Sequence, residues 1–234
     1  MTGIMMHHAG HNSGPAPVNL VYNLDAANYS AVPTNGSTVL GTGNHTITAS
    51  YTNSRITWNA ANGGVFRSTY IGDVMGDYIK GGPNYSAGNQ NYTIFIAYKL
   101  STSSTGRLIN TGDETLVDFV MGGYNGKPQV YFTNTSVNLT GATADTVWHL
   151  DWAVFDKVTG FARLYSATNT QPTTYAYTAT NTSTKGPNQL RLFNRASGFE
   201  AHPGDIGVVK VWDGALTLAQ IQTEYANYKT RFGY

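Results

Sequence analysis

Paired carboxylates are the first chemistry to test, because two of them at the right spacing cleave glycosidic bonds. A retaining pair stands about 5–5.5 Å apart and an inverting pair about 6.5–9.5 Å. The sequence has three glutamates, Glu114, Glu200 and Glu224, and its densest acidic run is Asp113-Glu114-Thr115-Leu116-Val117-Asp118. Read as a strand, that run puts Glu114 and Asp118 on one face but about 13 Å apart at ~3.3 Å per residue, too far for either mechanism. Nucleophilic chemistry has no better start. Cys is 0, and there is neither a Gly-x-Ser-x-Gly elbow nor a Gly-rich phosphate loop leading into a helix. His149 and Asp151 share one strand face, where each needs only a neighbour or water, so they read as structural. The expectation is a protein with no catalytic residues and no cofactor.

Binding chemistry has more candidates. A hard cation such as Ca²⁺ takes carboxylate and carbonyl oxygens. Asp113, Glu114 and Asp118, or Asp73 with Asp77, are the residues that offer them; solvated loop carboxylates are the simpler reading, and no metal is expected. His7, His8 and His11 cluster near the start, yet a short His tract more often holds no specific ion. A glycan needs exposed aromatic faces beside amide and carboxylate partners. Trp58, Tyr70, Tyr85 and Tyr124 lie in or near predicted loops, with Asn59, Asn84 and Asn125 alongside. Trp58, Tyr70, Tyr124 and Asn125 are the glycan candidates, although sixteen tyrosines make the signal unselective.

The elements that must position these groups are strands. Trp148, Leu150, Trp152 and Val154 alternate with His149, Asp151, Ala153 and Phe155, the period of a β-strand. Asp156-Lys157-Val158-Thr159-Gly160 supplies a turn, and Phe161–Tyr165 resumes the pattern, which predicts a hairpin. Its tryptophan face is expected to be the core on which a second sheet closes. The His149/Asp151 side is then the outer or inter-subunit face. Tyr124-Asn125-Gly126-Lys127 between Leu116–Met121 and Gln129–Thr133 predicts a second hairpin with a type I′ turn. Further strands are predicted at Val18–Leu24, Thr46–Tyr51, Arg55–Trp58, Val65–Ser68, Asp77–Lys80, Asn91–Leu100, Arg107–Asn110, Gln189–Phe193 and Ile206–Trp212. Gln171–Pro187 reads as a Thr-rich loop.

One helix is predicted, over 217–231. Leu218, Ile221, Tyr225, Tyr228 and Phe232 form its apolar stripe, and Thr217 with Gln220 forms a capping box. The 234 residues fit one large all-β domain, a two-sheet antiparallel β-sandwich over 18–234. Residues 1–17, with Gly, His and Pro and no apolar period, read as an arm.

Charged residues are only 12% and net charge is +1, which gives no basis for nucleic-acid binding or attraction to an anionic membrane. No apolar run approaches the roughly 20 residues of a membrane span. Without cysteine there is no disulfide framework. The opening residues have neither the basic region nor the apolar core of a secretory signal, so the expectation is a protein made in a cytoplasm. The Asn-x-Ser/Thr triplets, at Asn28 and Asn91 among others, then reflect composition rather than glycosylation.

The order of elements resembles the laminin-G-like jelly rolls of the concanavalin A-like lectin/glucanase superfamily. The resemblance is carried by Leu24-Asp25-Ala26, Tyr92–Lys99, Val147-Trp148-His149, Gly204–Trp212, Ala215-Leu216-Thr217 and Gln220-Ile221, over about residues 18–232. That superfamily's hydrolases carry a Glu-x-Asp-x-x-Glu strand, which is absent here. A version that begins Leu-Asp-Ala and ends Arg-Phe-Gly resembles those of tailed-bacteriophage virion proteins. The resemblance implies a non-enzymatic virion component (capsid decoration, tail or fibre) that contacts other virion proteins or its own copies. The arm residues His7, His8, His11, Pro15 and Pro17 would then serve assembly. A carbohydrate-binding adhesin is the alternative, and a glycoside hydrolase the third reading.

Overall fold

The computed structural model of the chain describes residues 18–34, 36, 38–39, 45–46, 48–50, 55–69, 77–84, 91–102, 106–111, 119–124, 127–132, 135–138, 146–156, 159–167, 170–173, 175–179, 188–193 and 202–234. In chain order the strands are β1 (Leu20–Asp25), β2 (Thr38–Val39), β3 (His45–Thr46), β4 (Thr48–Ser50), β5 (Ile56–Asn59) and β6 (Val65–Ser68). There follow β7 (Tyr78–Asn84), β8 (Tyr92–Leu100), β9 (Gly106–Thr111), β10 (Phe119–Tyr124), β11 (Lys127–Phe132) and β12 (Thr135–Asn138). The last are β13 (Trp148–Asp156), β14 (Phe161–Ala167), β15 (Ala176–Ala179), β16 (Asn188–Leu192) and β17 (Gly204–Trp212), then helix α1 (Leu218–Tyr228).

Two antiparallel sheets form the expected sandwich. The eight-stranded sheet runs β15-β14-β13-β8-β17-β6-β5, with β1 also on β17; the seven-stranded sheet runs β12-β11-β10-β9-β16-β7-β4. Both hairpins keep the register their sequences imply. Tyr124 pairs with Lys127 across Asn125-Gly126, and Asp156 pairs with Phe161. Strands β2, β12 and β15 were not expected, and β15 lies inside the stretch read as a Thr-rich loop. Its Ala176-Tyr177-Thr178-Ala179 run pairs with β14 because that edge would otherwise present unpaired backbone groups.

The covering of β13 corrects the sequence reading on both faces. Tyr92, Ile94, Ile96, Tyr98, Ala153 and Phe155 form one core with Ile79, Ile109, Met121, Val130 and Leu192 of the other sheet. The second sheet thus closes on the side that carries His149 and Asp151, and both of these are fully buried. The tryptophan side builds a separate core. There Trp148, Leu150, Trp152, Val154, Phe95 and Val208 pack against Ile221, Tyr225 and Phe232. Alternation identified two faces; it could not say which apolar layer would reach each one. The tryptophan face, expected to meet the second sheet, is covered instead by the apolar stripe of the helix.

Several contacts fix the helix there. Thr93, fully buried in β8, donates to the Gly214 carbonyl at 2.7 Å and accepts from the Leu216 N–H at 3.0 Å, which holds the connection into α1. The capping box forms as predicted: Gln220 N–H donates to Thr217 Oγ1 at 3.3 Å, and Thr217 N–H to Gln220 Oε1 at 2.8 Å. Lys210 Nζ meets Glu224 Oε2 at 2.8 Å and lies 4.8 Å from the Tyr228 ring centroid. Burial works to lower this ammonium's pKa, but the hydrogen bonds it donates to Glu224 and Tyr228 outweigh it and raise it above the ordinary lysine value.

Helix α1 ends three residues before the predicted 231, but the Phe232 N–H still donates to the Tyr228 carbonyl at 3.2 Å, so Phe232 extends the helix's apolar stripe. The ring lies 4.5 Å from the Trp148 ring between centroids, and directly on Gly207. Beside it Arg231 spans to the first strand. Its Nη1 binds Asp25 Oδ1 at 2.7 Å, its Nε donates to the Asn62 carbonyl at 2.7 Å and its Nη2 to the Gly64 carbonyl at 2.9 Å. The two motifs that carried the resemblance to virion proteins, Leu24-Asp25-Ala26 and Arg231-Phe232-Gly233, therefore meet. Gly64 completes the clamp with φ +131, where a Cβ would stand 2.6 Å from the Ala26 carbonyl oxygen.

Candidate functional site

Helix α1 and its tail cover the middle of the eight-stranded sheet's outer face. Beyond β14 that face continues as a ledge of aromatic rings and one guanidinium. Tyr175 is 45% exposed, one of two large hydrophobic residues so exposed among those described. Its ring leans on buried Tyr165, with centroids 5.1 Å apart. Arg163 lies 5.7 Å from the Tyr175 centroid and 6.0 Å from that of Phe161. The segment leading to Tyr175 is tied to the helix, because Gln222 Nε2 donates to the Pro172 carbonyl at 3.1 Å.

The turn of the β13–β14 hairpin holds the guanidinium in place. Arg163 Nη1 pairs with Asp156 Oδ2 at 3.3 Å, and its Nη2 donates to Thr159 Oγ1 at 3.2 Å. Thr159 N–H in turn donates to Asp156 Oδ1 at 3.1 Å. Burial alone would raise the Asp156 pKa, but the Thr159 and Arg163 bonds outweigh it and hold it below the ordinary carboxylate value. The Tyr165 hydroxyl is pushed above its usual pKa, chiefly by burial. The arrangement offers one wet aromatic ring, a positioned planar cation and an ionised carboxylate. Such a set can stack on the apolar face of a ring-shaped solute and hydrogen-bond to hydroxyls at its rim.

The described residues among those singled out in the sequence fall elsewhere. Trp58 is half-buried against the inter-sheet core, and its indole N–H donates to the Ala26 carbonyl at 2.9 Å. Asn59 Oδ1 accepts from the Ala61 N–H at 2.8 Å, just before the short 3₁₀ turn after β5. Tyr124 closes β10 opposite Lys127. Asp77 is buried and accepts from the Arg55 N–H. Tyr70, Tyr85 and Asn125, the acidic residues Asp73, Asp113, Glu114, Asp118 and Glu200, and the arm residues His7, His8, His11, Pro15 and Pro17 lie outside the described residues. No described group of His, Cys, Asp and Glu has the arrangement of a metal site.

Other described carboxylates are engaged within the fold. Asp25 binds Arg231, Asp205 binds Arg67, Asp213 binds Asn19, and Glu224 binds Lys210. Asp151 sits between the sheets, where Tyr98 donates its hydroxyl to Oδ2 at 2.8 Å and the Tyr98 ring stacks on His149 at 5.1 Å. Burial raises its pKa above the ordinary carboxylate value, against the lowering effect of His149, Ser166 and Tyr98. This group is closed from solvent, so it orders the interior and meets no solute. The ledge itself was missed because Tyr175 stands in a Thr-rich stretch. The signal available was the Tyr175-Ala176-Tyr177 alternation, which a short edge strand explains.

No protein-family model matches the chain, and no curated protein does. Solved structures do share its architecture. The binding domain of Paraclostridial Mosquitocidal Protein 1 superposes with a TM-score of 0.61 at 11% identity, over 90% of this chain and 52% of that one. The receptor binding domain of botulinum neurotoxin C/D mosaic serotype gives 0.63 at 13%, over 89% and 51%. Domain 4 of AbnA, a GH43 extracellular arabinanase from Geobacillus stearothermophilus in complex with arabinotriose, gives 0.55 at 15%, over 88% and 98%. The chain thus spans about half the length of the toxin binding domains and nearly all of the arabinanase domain. At these identities the likeness is one of fold.

Proposed function

We propose that the chain is a non-enzymatic virion protein of a tailed bacteriophage that uses its lectin-like sandwich to recognise a surface glycan. The observation that carries the recognition role is the exposed Tyr175 ring beside an Arg163 held by Asp156 and Thr159. A pyranose presents an apolar C–H face and a rim of hydroxyls, and the ledge presents a matching ring, cation and carboxylate. The domain solved with arabinotriose and the toxin receptor-binding domain support the reading, as sandwiches of the same fold used for binding. The virion placement rests on the resemblance at residues 24–26 and 231–233. The contacts that hold those residues together are structural, so they bear on the fold and not on the ligand.

Binding to immobilised bacterial surface polysaccharides tests the recognition role. Removal of one ring–ligand stacking contact worth about 0.5–1.5 kcal/mol lowers affinity by about two- to twelvefold. Tyr175→Ala is therefore expected to weaken binding by that factor with the melting temperature unchanged. Unchanged affinity in the variant refutes the ledge as the contact surface. Particles purified without this chain refute the virion placement.

A further inference from the structure

At the far end of the same face the structure leaves an open cleft of about 380 Å³, lined by Arg67, Lys99, Leu100, Ser101, Thr146 and Asp205. It lies beside Trp148 at the start of β13, whereas Asp156 of the ledge ends that strand. Eight residues at ~3.3 Å each separate the two places by roughly 26 Å. The sheet register builds the cleft: Lys99 of β8 pairs with Asp205 of β17, and Asp205 pairs with Arg67 of β6. Three charged side chains thus stand in one row across three strands.

Their charges do not cancel. Asp205 receives Arg67 Nε at 2.6 Å and Nη2 at 2.8 Å, a two-point bond that fixes the guanidinium plane. Lys99 has no ion pair among the described residues, so the row keeps one uncompensated positive charge. Arg67 Nη1 is likewise outside the bond with Asp205, and the Arg67 side chain is 39% exposed. Ser101 and Thr146, both exposed, add hydroxyls, and Leu100 also lines the cleft. A neutral solute has no use for the extra charge, and a bare inorganic anion has none for the hydroxyls and the width of the cleft.

We infer that this cleft is a second binding site, independent of the Tyr175 ledge, for a sugar unit that bears a carboxylate. The ligand carboxylate bonds to Lys99 Nζ and Arg67 Nη1. Its ring hydroxyls meet Ser101, Thr146 and the outer lone pairs of Asp205. The cleft volume is near the lower end of the range for small-molecule sites and suits one or two sugar rings.

Titration of the isotope-labelled full chain with glucuronate, glucose and inorganic phosphate, followed by amide and side-chain NMR, tests the inference. Glucuronate is expected to shift resonances of Arg67, Lys99 and Asp205, with glucose and phosphate binding at least about tenfold more weakly. Lys99→Gln removes a charge-assisted bond and is expected to weaken glucuronate by about tenfold or more, with unchanged melting temperature. Tyr175→Ala is expected to leave the glucuronate shifts at Arg67, Lys99 and Asp205 unaltered, which separates the cleft from the ledge. Phosphate binding as tight as glucuronate, shifts confined to the ledge, or full affinity in Lys99→Gln would each overturn it.

Discussion

The contact between Phe232 and Gly207 gives a prediction whose size follows from the geometry. Phe232 is 3% exposed, and a Cβ built on Gly207 would stand 2.6 Å from its Cζ and 2.7 Å from its Cε1. Phe232→Ala empties that place and is expected to cost about 3–5 kcal/mol. Gly207→Ala drives a methyl into the ring and is expected to cost about 1–3 kcal/mol. In the double variant the new methyl enters the space the ring has left, so the clash is gone and part of the cavity is filled. The double variant should therefore be less destabilised than the sum of the singles by about 1 kcal/mol or more. Urea unfolding followed by tryptophan fluorescence measures all four proteins, since Trp148 touches the ring. Additivity within about 0.5 kcal/mol would show that Phe232 does not rest on Gly207 and would refute the assignment of the tail to the tryptophan face.

Two further predictions concern charged groups. Arg231→Lys keeps the charge but loses the planar fork that reaches Asp25, Asn62 and Gly64 at once. It is expected to cost about 1–3 kcal/mol, and a variant as stable as the parent would show that the clamp contributes little. Asp151 has its pKa raised in the folded state, chiefly by burial. Its contribution to stability is full below the unfolded value of about 3.9 and is lost as pH rises through the folded value. Asp151→Asn is expected to remove that loss, so its stability falls less than the parent's from pH 4 upward; parallel stability–pH curves would contradict the burial argument.

How far the sequence could be read depended on the range of the interactions involved. The Asn125-Gly126 turn, the β13–β14 hairpin and the Thr217/Gln220 cap are local, and their registers follow from residues a few positions apart. The layer that covers each face of β13 is a long-range choice. His149 and Asp151 looked like solvent-facing groups, because a polar pair on a strand is most often exposed. Here Tyr98, 53 positions from Asp151, supplies the hydrogen bond that lets the carboxyl enter the interior. The Arg67–Asp205 pair joins residues 138 apart and the Asp25–Arg231 pair residues 206 apart, beyond any pattern read along the chain. Tyr175 was hidden differently: only the edge position of β15 distinguishes it from the other tyrosines.

The placement of Phe232, Tyr225 and Ile221 over the tryptophan face also sets an order in time. Every described strand is synthesised before residues 218–234, which take roughly 1–3 s at about 5–20 residues per second. Until those residues dock, Trp148, Leu150, Trp152 and Val154 lack the layer that covers them in the fold. The apolar face of the central strands is thus completed by a segment made after them, so a chain that stops short of residue 218 leaves that face open to water.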